Sequence, residues 1–356
     1  MPLACVPRDA RAHAARAGSA DVLTARAARA QAHVATLIRL LDLPVHLLTA
    51  AGEPAIKTPS GYVVSHDAAV TALLYGWANP HTLTKIHTDV GMRPSRCSEV
   101  RSALVDIIYD QWYVRLLATD LKHWAADFPE WASAVFEATG RLGFDNVAGF
   151  IDGTLRPTVR PSHNQDIMFN GHHWMHGYVY QALVAPNGLI IDLTPPAPGR
   201  RHDGFLLRKS RLLSRFQAAC LAVGYTVGEF IMYADAGYHA SPNLRAAYIR
   251  PAGGLLTAAQ TSLNFVMSSV RVSVEWGFGR VVALWGHFKL TEKQIVGKTP
   301  VGKLYAVAVI LTNAHCCFYG NQCSEKFRLL PPDIEDYFNA PMQPAGVDQA
   351  WDPTVI

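Results

Sequence analysis

The sequence predicts an α/β protein in which an all-helical region precedes a mixed-sheet domain. Up to Thr139 apolar residues recur at the three-and-four spacing of amphipathic helices. At Val147 the texture changes to short apolar runs bounded by Gly, Pro and Asn, which is the signature of strands. Two of those runs, Val147 to Ile151 and Phe230 to Ala234, lead directly into an aspartate. The expected divisions are a flexible tail over 1–20, a helical region over 21–145, the mixed domain over 146–325 and a Pro-rich tail over 326–356.

The first expected helix follows from Leu23, Val34, Leu37, Ile38 and Leu41 and ends near Leu43-Pro44. A connection containing Gly52, Pro54, Pro59 and Gly61 comes next. Three helical runs then cover Asp67 to Trp77, Thr82 to Asp89 and Ser95 to Leu117, separated by Asn79-Pro80 and by Val90 to Pro94. That is helix-turn-helix spacing, although an ordinary three-helix packing unit gives the same pattern. In the DNA-binding reading Ser95 caps the third helix, and Arg93, Arg96 and Arg101 gather near its N-terminal end, where phosphates and base edges are met. A helix over Trp124 to Thr139 carries Trp124, Trp131, Val135 and Phe136 as core anchors.

In the second half the expected strands are Val147 to Asp152, Gly177 to Ala185 and Gly188 to Leu193, the last two joined as a hairpin by Pro186-Asn187-Gly188. A helix over Asp203 to Val223, a strand over Phe230 to Tyr233 and helices over Leu263 to Trp285 and Val301 to Tyr319 complete the domain.

Composition narrows the function. With 356 residues, 50% hydrophobic and 17% charged, the chain is neither disordered nor collagen-like. Its most apolar stretch, Leu304 to Leu311, falls short of the ~18 residues of a membrane span, so no membrane partner is expected. Thirty-two Lys and Arg against 28 Asp and Glu leave a net charge of +4, which permits a nucleic-acid partner without requiring one. The six cysteines form no C-x-x-C pair, so reduced thiols in an intracellular compartment are expected rather than a zinc knuckle or disulfide framework. The first thirty residues mix Ala with Arg8, Arg11, Arg16, Arg26 and Arg29, but Asp9 and Asp21 interrupt them; a solvated, partly helical tail is expected rather than a transit peptide. Neither G-x-G-x-x-G nor a Gly-Lys-Ser/Thr loop occurs, which argues against nucleotide-driven or dinucleotide redox chemistry.

The chemistry is carried by carboxylates. Asp152 and Asp235 each follow a buried strand, and Glu275 neighbours the apolar stripe Val274, Phe278, Val281, Val282 and Trp285 of a helix. Acids placed against apolar elements carry a desolvation cost unless positive charge binds between them. Hard oxygen donors select Mg²⁺ or Mn²⁺, and two such ions about 4 Å apart activate an attacking water or hydroxyl while stabilising the leaving oxygen. Taken singly, each acid could equally be a strand-end cap or an ion pair.

The residues around these acids are more specific. Ile151-Asp152-Gly153-Thr154, Asn170-Gly171-His172 through His176, Gln181 to Gly188, Pro198 to Asp203, Ala234 to Tyr238 and Val274 to Gly279 resemble the transposase-derived endonucleases of the DDE superfamily. Within it they are most similar to the Harbinger-like branch, in its fungal-type versions. The resemblance runs over about residues 65 to 340 and includes Leu311 to Ala314 and Pro331 to Tyr337. It implies an RNase H-like catalytic domain behind a helix-turn-helix-type region. It further implies Asp152, Asp235 and Glu275 as the catalytic, metal-binding acids. Asp203 is a characteristic acid of the family, read here as structural or as an additional metal contact. The chain departs from its relatives at His173 and Trp174, where Lys or Arg is common, and at Val282, where Lys is common; Arg271 and Arg280 on the same helix could replace the lost phosphate contacts.

Other groupings weigh less. His172, His173 and His176 string together without an acidic or cysteine partner nearby, so surface or DNA-facing histidines are expected rather than zinc. From Arg200 to Arg215 six cations (Arg200, Arg201, Arg208, Lys209, Arg211, Arg215) face one acid, Asp203. With Arg156 and Arg160 they are expected to neutralise phosphates, though a solvated helix accounts for such a run too.

The sequence therefore points to a metal-dependent DNA endonuclease or transposase. It is expected to act on double-stranded DNA as a homodimer, with an accessory DNA-binding protein if one is needed, and in the nucleus. The rival expectation is a domesticated DNA-binding protein that no longer cuts. A metal-dependent ribonuclease on the same fold is more remote.

Overall fold

The computed structural model describes residues 24, 28–43, 49–80, 88, 90–118 and 121–339. Residues 28–40 are helical. Leu37, Leu41 and Leu43 are buried, and the Trp112 indole N–H donates to the Leu41 carbonyl at 3.0 Å. The connection that follows contains an antiparallel hairpin, β1 (Ala55–Lys57) with β2 (Val63–Ser65), which the sequence reading passes over. Strands of three residues are too short for alternation to show.

Ser65 caps α1 (His66–Ala78), its side chain accepting from the Ala68 N–H. The helix expected over 82–89 lies outside the described residues apart from position 88. The start of α2 (Pro94–Leu117) corrects the sequence reading, because Arg93 occupies the N-cap position, Pro94 opens the helix and no side chain caps it. Proline at the first helical position has its φ preset and lacks the N–H that a cap would satisfy, so Ser95 falls inside the first turn. The single helix expected over Trp124 to Thr139 is split into Lys122–Ala125 and α3 (Phe128–Ala138), with Pro129 in the first turn of the second.

The rest of the chain builds a seven-stranded sheet. Its strands are β3 (Val147–Pro157), β4 (Phe169–Asn170), β5 (Met175–Val184), β6 (Ile190–Leu193), β7 (Ala197–Pro198), β8 (Ile231–Ala234) and β9 (Leu244–Ala246). β5 runs antiparallel to β3, and its other edge carries β4, β7 and β6. β8 runs parallel to β3, and β9 parallel to β8. This mixed sheet flanked by helices fits the RNase H-like expectation, and the β5 and β6 hairpin forms where the sequence places it. β9 was not expected; like β7, it is too short to leave a pattern.

The helix expected over Asp203 to Val223 is broken into α4 (Asp203–Ser210) and α5 (Leu212–Ala222) by Arg211, whose φ of 52° cannot continue a right-handed helix. The helix bearing Glu275, α6 (Ala258–Leu284), starts earlier than expected because Thr257 and Gln260 close a capping box at its N-terminus. α7 (Val301–Tyr319) has the expected bounds. By length and composition α7 is apolar enough to cross a membrane, which corrects the shorter stretch read from the sequence, but 67% of it is buried inside the fold.

Side chains along β5 alternate between two environments, as a pleated strand requires. Tyr180 packs against Tyr305 of α7 at 4.7 Å, while Val179 joins Ala197, Leu206 and Leu155 in a small cluster under α4. The main core is continuous from Leu37 to Phe338, so the helical region and the sheet share it. Tyr113 of α2 donates to the Leu193 carbonyl of β6 at 3.0 Å, and Lys303 of α7 pairs with Asp106 of α2 at 2.8 Å.

His287 belongs to the same junction. It stacks on Trp77 of α1 at 6.2 Å, and burial, reinforced by Arg101 and Lys293, pushes its pKa down to about 4. The unfolded chain, with a histidine near 6.5, therefore binds the proton first as pH falls. Stability contributed at this site is full above pH 6.5, declines between 6.5 and about 4, and the loss reaches about 3 kcal/mol. Urea unfolding of wild type and His287→Gln between pH 8 and 4 is expected to show a shallower acid decline in the variant.

Candidate active site

β3 and β8 pair for the last time at Phe150 and Tyr233. Two residues further along each strand stand Asp152 and Asp235, at the same level where the parallel strands part. Asp152 is not at the end of its strand, as the sequence reading has it. β5 keeps pairing with β3 from Asp152 opposite Ala182 down to Pro157 opposite Gly177, so the strand continues past the acid. The Asp152 side chain is only 18% exposed. Its Oδ1 accepts from the Gly153 N–H at 2.8 Å, and Asp235 Oδ1 accepts from the Gly237 N–H at 2.9 Å. Burial raises the Asp152 pKa to about 6; the Gly153 N–H and Arg271 oppose the rise, and the charges of Asp235 and Asp203 add to it.

Asp203, the first residue of α4, belongs to the same group. Its carboxylate rests on Gly153, where a Cβ would overlap Oδ1, so a side chain there would push the carboxylate away. Burial raises its pKa, the charge of Asp235 adds to the rise, and His202 and His173 oppose it. Gln181 supports both sides: its Nε2 donates to the Tyr238 hydroxyl at 2.9 Å and to the Asp203 carbonyl at 3.3 Å. The Tyr238 phenol is raised by burial and then by the charges of Asp203, Asp152 and Asp235, while the Gln181 hydrogen bond opposes the rise.

Asn170 holds the loop that delivers Asp203. Its Oδ1 accepts from the N–H groups of His172 and His173 at 3.0 and 2.9 Å, while its Nδ2 donates to the Gly199 carbonyl at 2.8 Å. A Cβ at Gly199 would fall 2.5 Å from the Met168 carbonyl oxygen, so only glycine lets the loop lie this close. The Asn-Gly-His motif is thus a clamp on the Pro198 to Asp203 motif.

Glu275 is more open, with its side chain 55% exposed on α6. Arg271, one turn earlier, reaches both acids that flank it. Its Nη1 donates to Asp152 Oδ2 at 3.0 Å and its Nη2 to Glu275 Oε1 at 3.3 Å. Asp152 and Glu275 therefore share one positive charge. The donor set suits a hard divalent cation: carboxylate oxygens only, two of the acids drawn out of water and each raised further by the charge of Asp235. As they stand, no three His, Cys, Asp or Glu side chains among the described residues converge closely enough to hold an ion.

The arginines divide into exposed and engaged. Arg160 donates to Gln165 Oε1 at 2.8 and 2.6 Å, and Arg200 lies 3.8 Å from Asp166, so both flank the short helix Gln165–Met168. Arg201 covers the Phe205 ring at 4.5 Å and is otherwise exposed. Arg93 is exposed at the start of α2. Arg96 is drawn to Ser60 and Glu99 at 2.5 and 3.0 Å, Arg156 folds over the Tyr305 ring at 5.2 Å, and Arg280 donates to the Gly320 carbonyl at the end of α7 at 2.6 Å. Arg101 fills the space left by Gly76 in the α1 and α2 contact. Arg215, from the same basic run as Arg200, turns inward onto the buried Asp192 at 2.6 Å. The histidine string is divided too, with His172 and His173 in the turn clamped by Asn170 and His176 in β5.

Residues 151–313 match the family model of the DDE superfamily endonucleases. The matched segment takes in Asp152, Asp203, Asp235 and Glu275, and it ends at Asn313 of α7. For these residues it supports a transposase-type nuclease acting on DNA. No curated protein and no solved structure matches. Within the matched segment no local pattern places Asp203 beside Asp152; Gly153, directly after the first acid, leaves room for its carboxylate.

Replacing Asn170 with Ala removes three hydrogen bonds of the clamp. The expected loss is about 1–3 kcal/mol, read as a lower urea midpoint with an unchanged slope. Arg215→Ala leaves Asp192 buried without its counter-charge and is expected to cost more, about 3–5 kcal/mol in the same measurement.

Proposed function

We propose that the protein is a metal-dependent DNA endonuclease of transposase type, of the Harbinger-like, fungal-type branch, in which Asp152, Asp235 and Glu275 form the catalytic acids. The observation that carries this reading is the single cation, Arg271, shared by Asp152 and Glu275 at the point where β3 and β8 part. Residues far apart in sequence meet there around positive charge, beside a second pair of acids, Asp203 and Asp235.

Bound between these carboxylates, Mg²⁺ or Mn²⁺, two ions in the reading proposed, would supply activation of an attacking water or 3′-hydroxyl and stabilisation of the leaving oxygen. Asp152 and Asp235 would hold the ions from the sheet, Glu275 from α6, and Asp203 from the first turn of α4 as a supporting or additional ligand. The Gly153 and Gly237 N–H groups each hold one carboxylate oxygen, of Asp152 and of Asp235. Arg200 and Arg201 stand exposed on the loop that delivers Asp203, and Arg160 on the loop after β3, which suits them to phosphate neutralisation. Arg93 and Arg96, at the start of α2, would meet double-stranded DNA if α1 and α2 belong to a helix-turn-helix unit that reads element ends. Arg101, Arg156 and Arg280 are engaged in packing and would act on DNA only through the elements they brace. A homodimer would hold two DNA ends together, an accessory DNA-binding protein would add to the grip, and the DNA substrate implies the nucleus.

A non-cleaving DNA-binding protein is the second reading. It is favoured by His173, Trp174 and Val282, which replace the cations common among similar sequences.

Plasmid nicking in Mg²⁺ or Mn²⁺ separates the two. Wild type is expected to nick, and Asp152→Ala, Asp235→Ala and Glu275→Ala each to abolish nicking with the melting temperature preserved. A Glu275 variant of full activity removes that residue from the mechanism, and DNA binding without nicking by wild type favours the second reading.

A further inference from the structure

We propose that Arg271 is a built-in counter-ion that holds the acidic site together before metal arrives and has to be displaced for metal to enter. The inference rests on the metal-dependent reading above and concerns what the chain does in its metal-free state.

The geometry leaves little choice of position. Asp152 Oδ1 accepts from the Gly153 N–H and Oδ2 from Arg271 Nη1 at 3.0 Å, so a cation approaching Oδ2 meets the guanidinium. The other nitrogen of the same guanidinium donates to Glu275 at 3.3 Å. The fork therefore bridges Glu275 of α6 and Asp152 of β3. Arg271 is 22% exposed whereas Glu275 is 55% exposed, so the guanidinium lies deeper than one of the acids it bridges. A carboxylate oxygen has a second lone pair, but a divalent ion on Asp152 Oδ2 would sit at contact distance from the guanidinium, and their like charges repel.

Without Arg271 the metal-free site would hold Asp152, Asp203 and Asp235 with no nearby cation on α6, at a cost set by partial burial. With it, the acids are held near one another in advance, and metal binding exchanges two charge-assisted hydrogen bonds for coordination. Once released, the long side chain stays at the rim of the site on the first helical turn before Glu275, where its five donors suit a phosphate oxygen.

The test is titration of the full chain with MnCl₂ by calorimetry at pH 8, for wild type, Arg271→Gln and Arg271→Lys, with melting curves of each protein without metal. Arg271→Gln is expected to melt lower without metal and to bind Mn²⁺ about tenfold more tightly, since the competing hydrogen bonds are gone. Arg271→Lys, which keeps the charge but cannot fork, is expected to fall between the two. In the wild type the Arg271 guanidinium ¹⁵N resonance is expected to move to the position of a free arginine when Mg²⁺ is added, a readout independent of any variant. Equal or weaker Mn²⁺ binding by Arg271→Gln, or a guanidinium resonance that Mg²⁺ leaves in place, overturns the counter-ion role while the metal site stands. Failure of the wild type to bind Mn²⁺ at all overturns both.

Discussion

Strand β3 pairs with β8 from Val147 to Phe150 and with β5 from Phe150 to Pro157, so from Asp152 onward β5 alone remains beside it. The opening on the β8 side begins at the level of the two aspartates, because β8 ends at Ala234. An acid inside a doubly paired strand would be sealed in the sheet, and one at a free strand end would be fully hydrated. Asp152 lies between these limits, partly desolvated yet reachable, and that is the source of its raised pKa. Each other acidic residue is brought to this gap by a different element: Asp235 by β8, Asp203 by α4, Glu275 by α6.

Gathering like charges at one opening demands compensation, and the surrounding residues supply it locally. Arg271 neutralises from α6, and the Gly153 and Gly237 N–H groups donate from the backbone. The polar motif residues that touch no acid serve the same end by fixing loops. Asn170 ties the histidine turn to Gly199. Asn313 of α7 accepts from the Ile190 N–H at 3.0 Å and donates to its carbonyl at 2.8 Å, holding the outer edge of β6. Its amide also donates to the Tyr337 hydroxyl at 3.0 Å, which links the two late motifs of the sequence. Buried amides with both ends satisfied set the register of the elements they join, and a hydrophobic contact of the same area would not.

The sequence was legible where periodicity is long. α1, α2, α6 and α7 show themselves through repeated apolar spacing, and β3, β5 and β8 through apolar runs between turn residues. Breaks within helices were less legible: Pro129 and Arg211 each divide a run whose apolar spacing continues across the break. The N-terminus of α2 was misread because Ser95 is a good cap by type, whereas Pro94 had already fixed where the helix begins. Short strands escaped because two or three residues have no period.

Residue types and their order, by themselves, determined that acids would follow two buried strands and ride one helix, since alternation and helical spacing are local properties. They also determined the change at Val147 from helical texture to strands. Which acids stand together was decided only by tertiary structure. Asp203 reaches Asp152 because Gly153 leaves room and Asn170 clamps the loop, and Arg271 points at Asp152 because α6 crosses β3 at that height. Likewise only packing decided that Arg215 turns to Asp192 while its neighbour Arg200 stays outside. Contacts of this kind depend on how elements cross in space, and a linear pattern carries no record of the crossing.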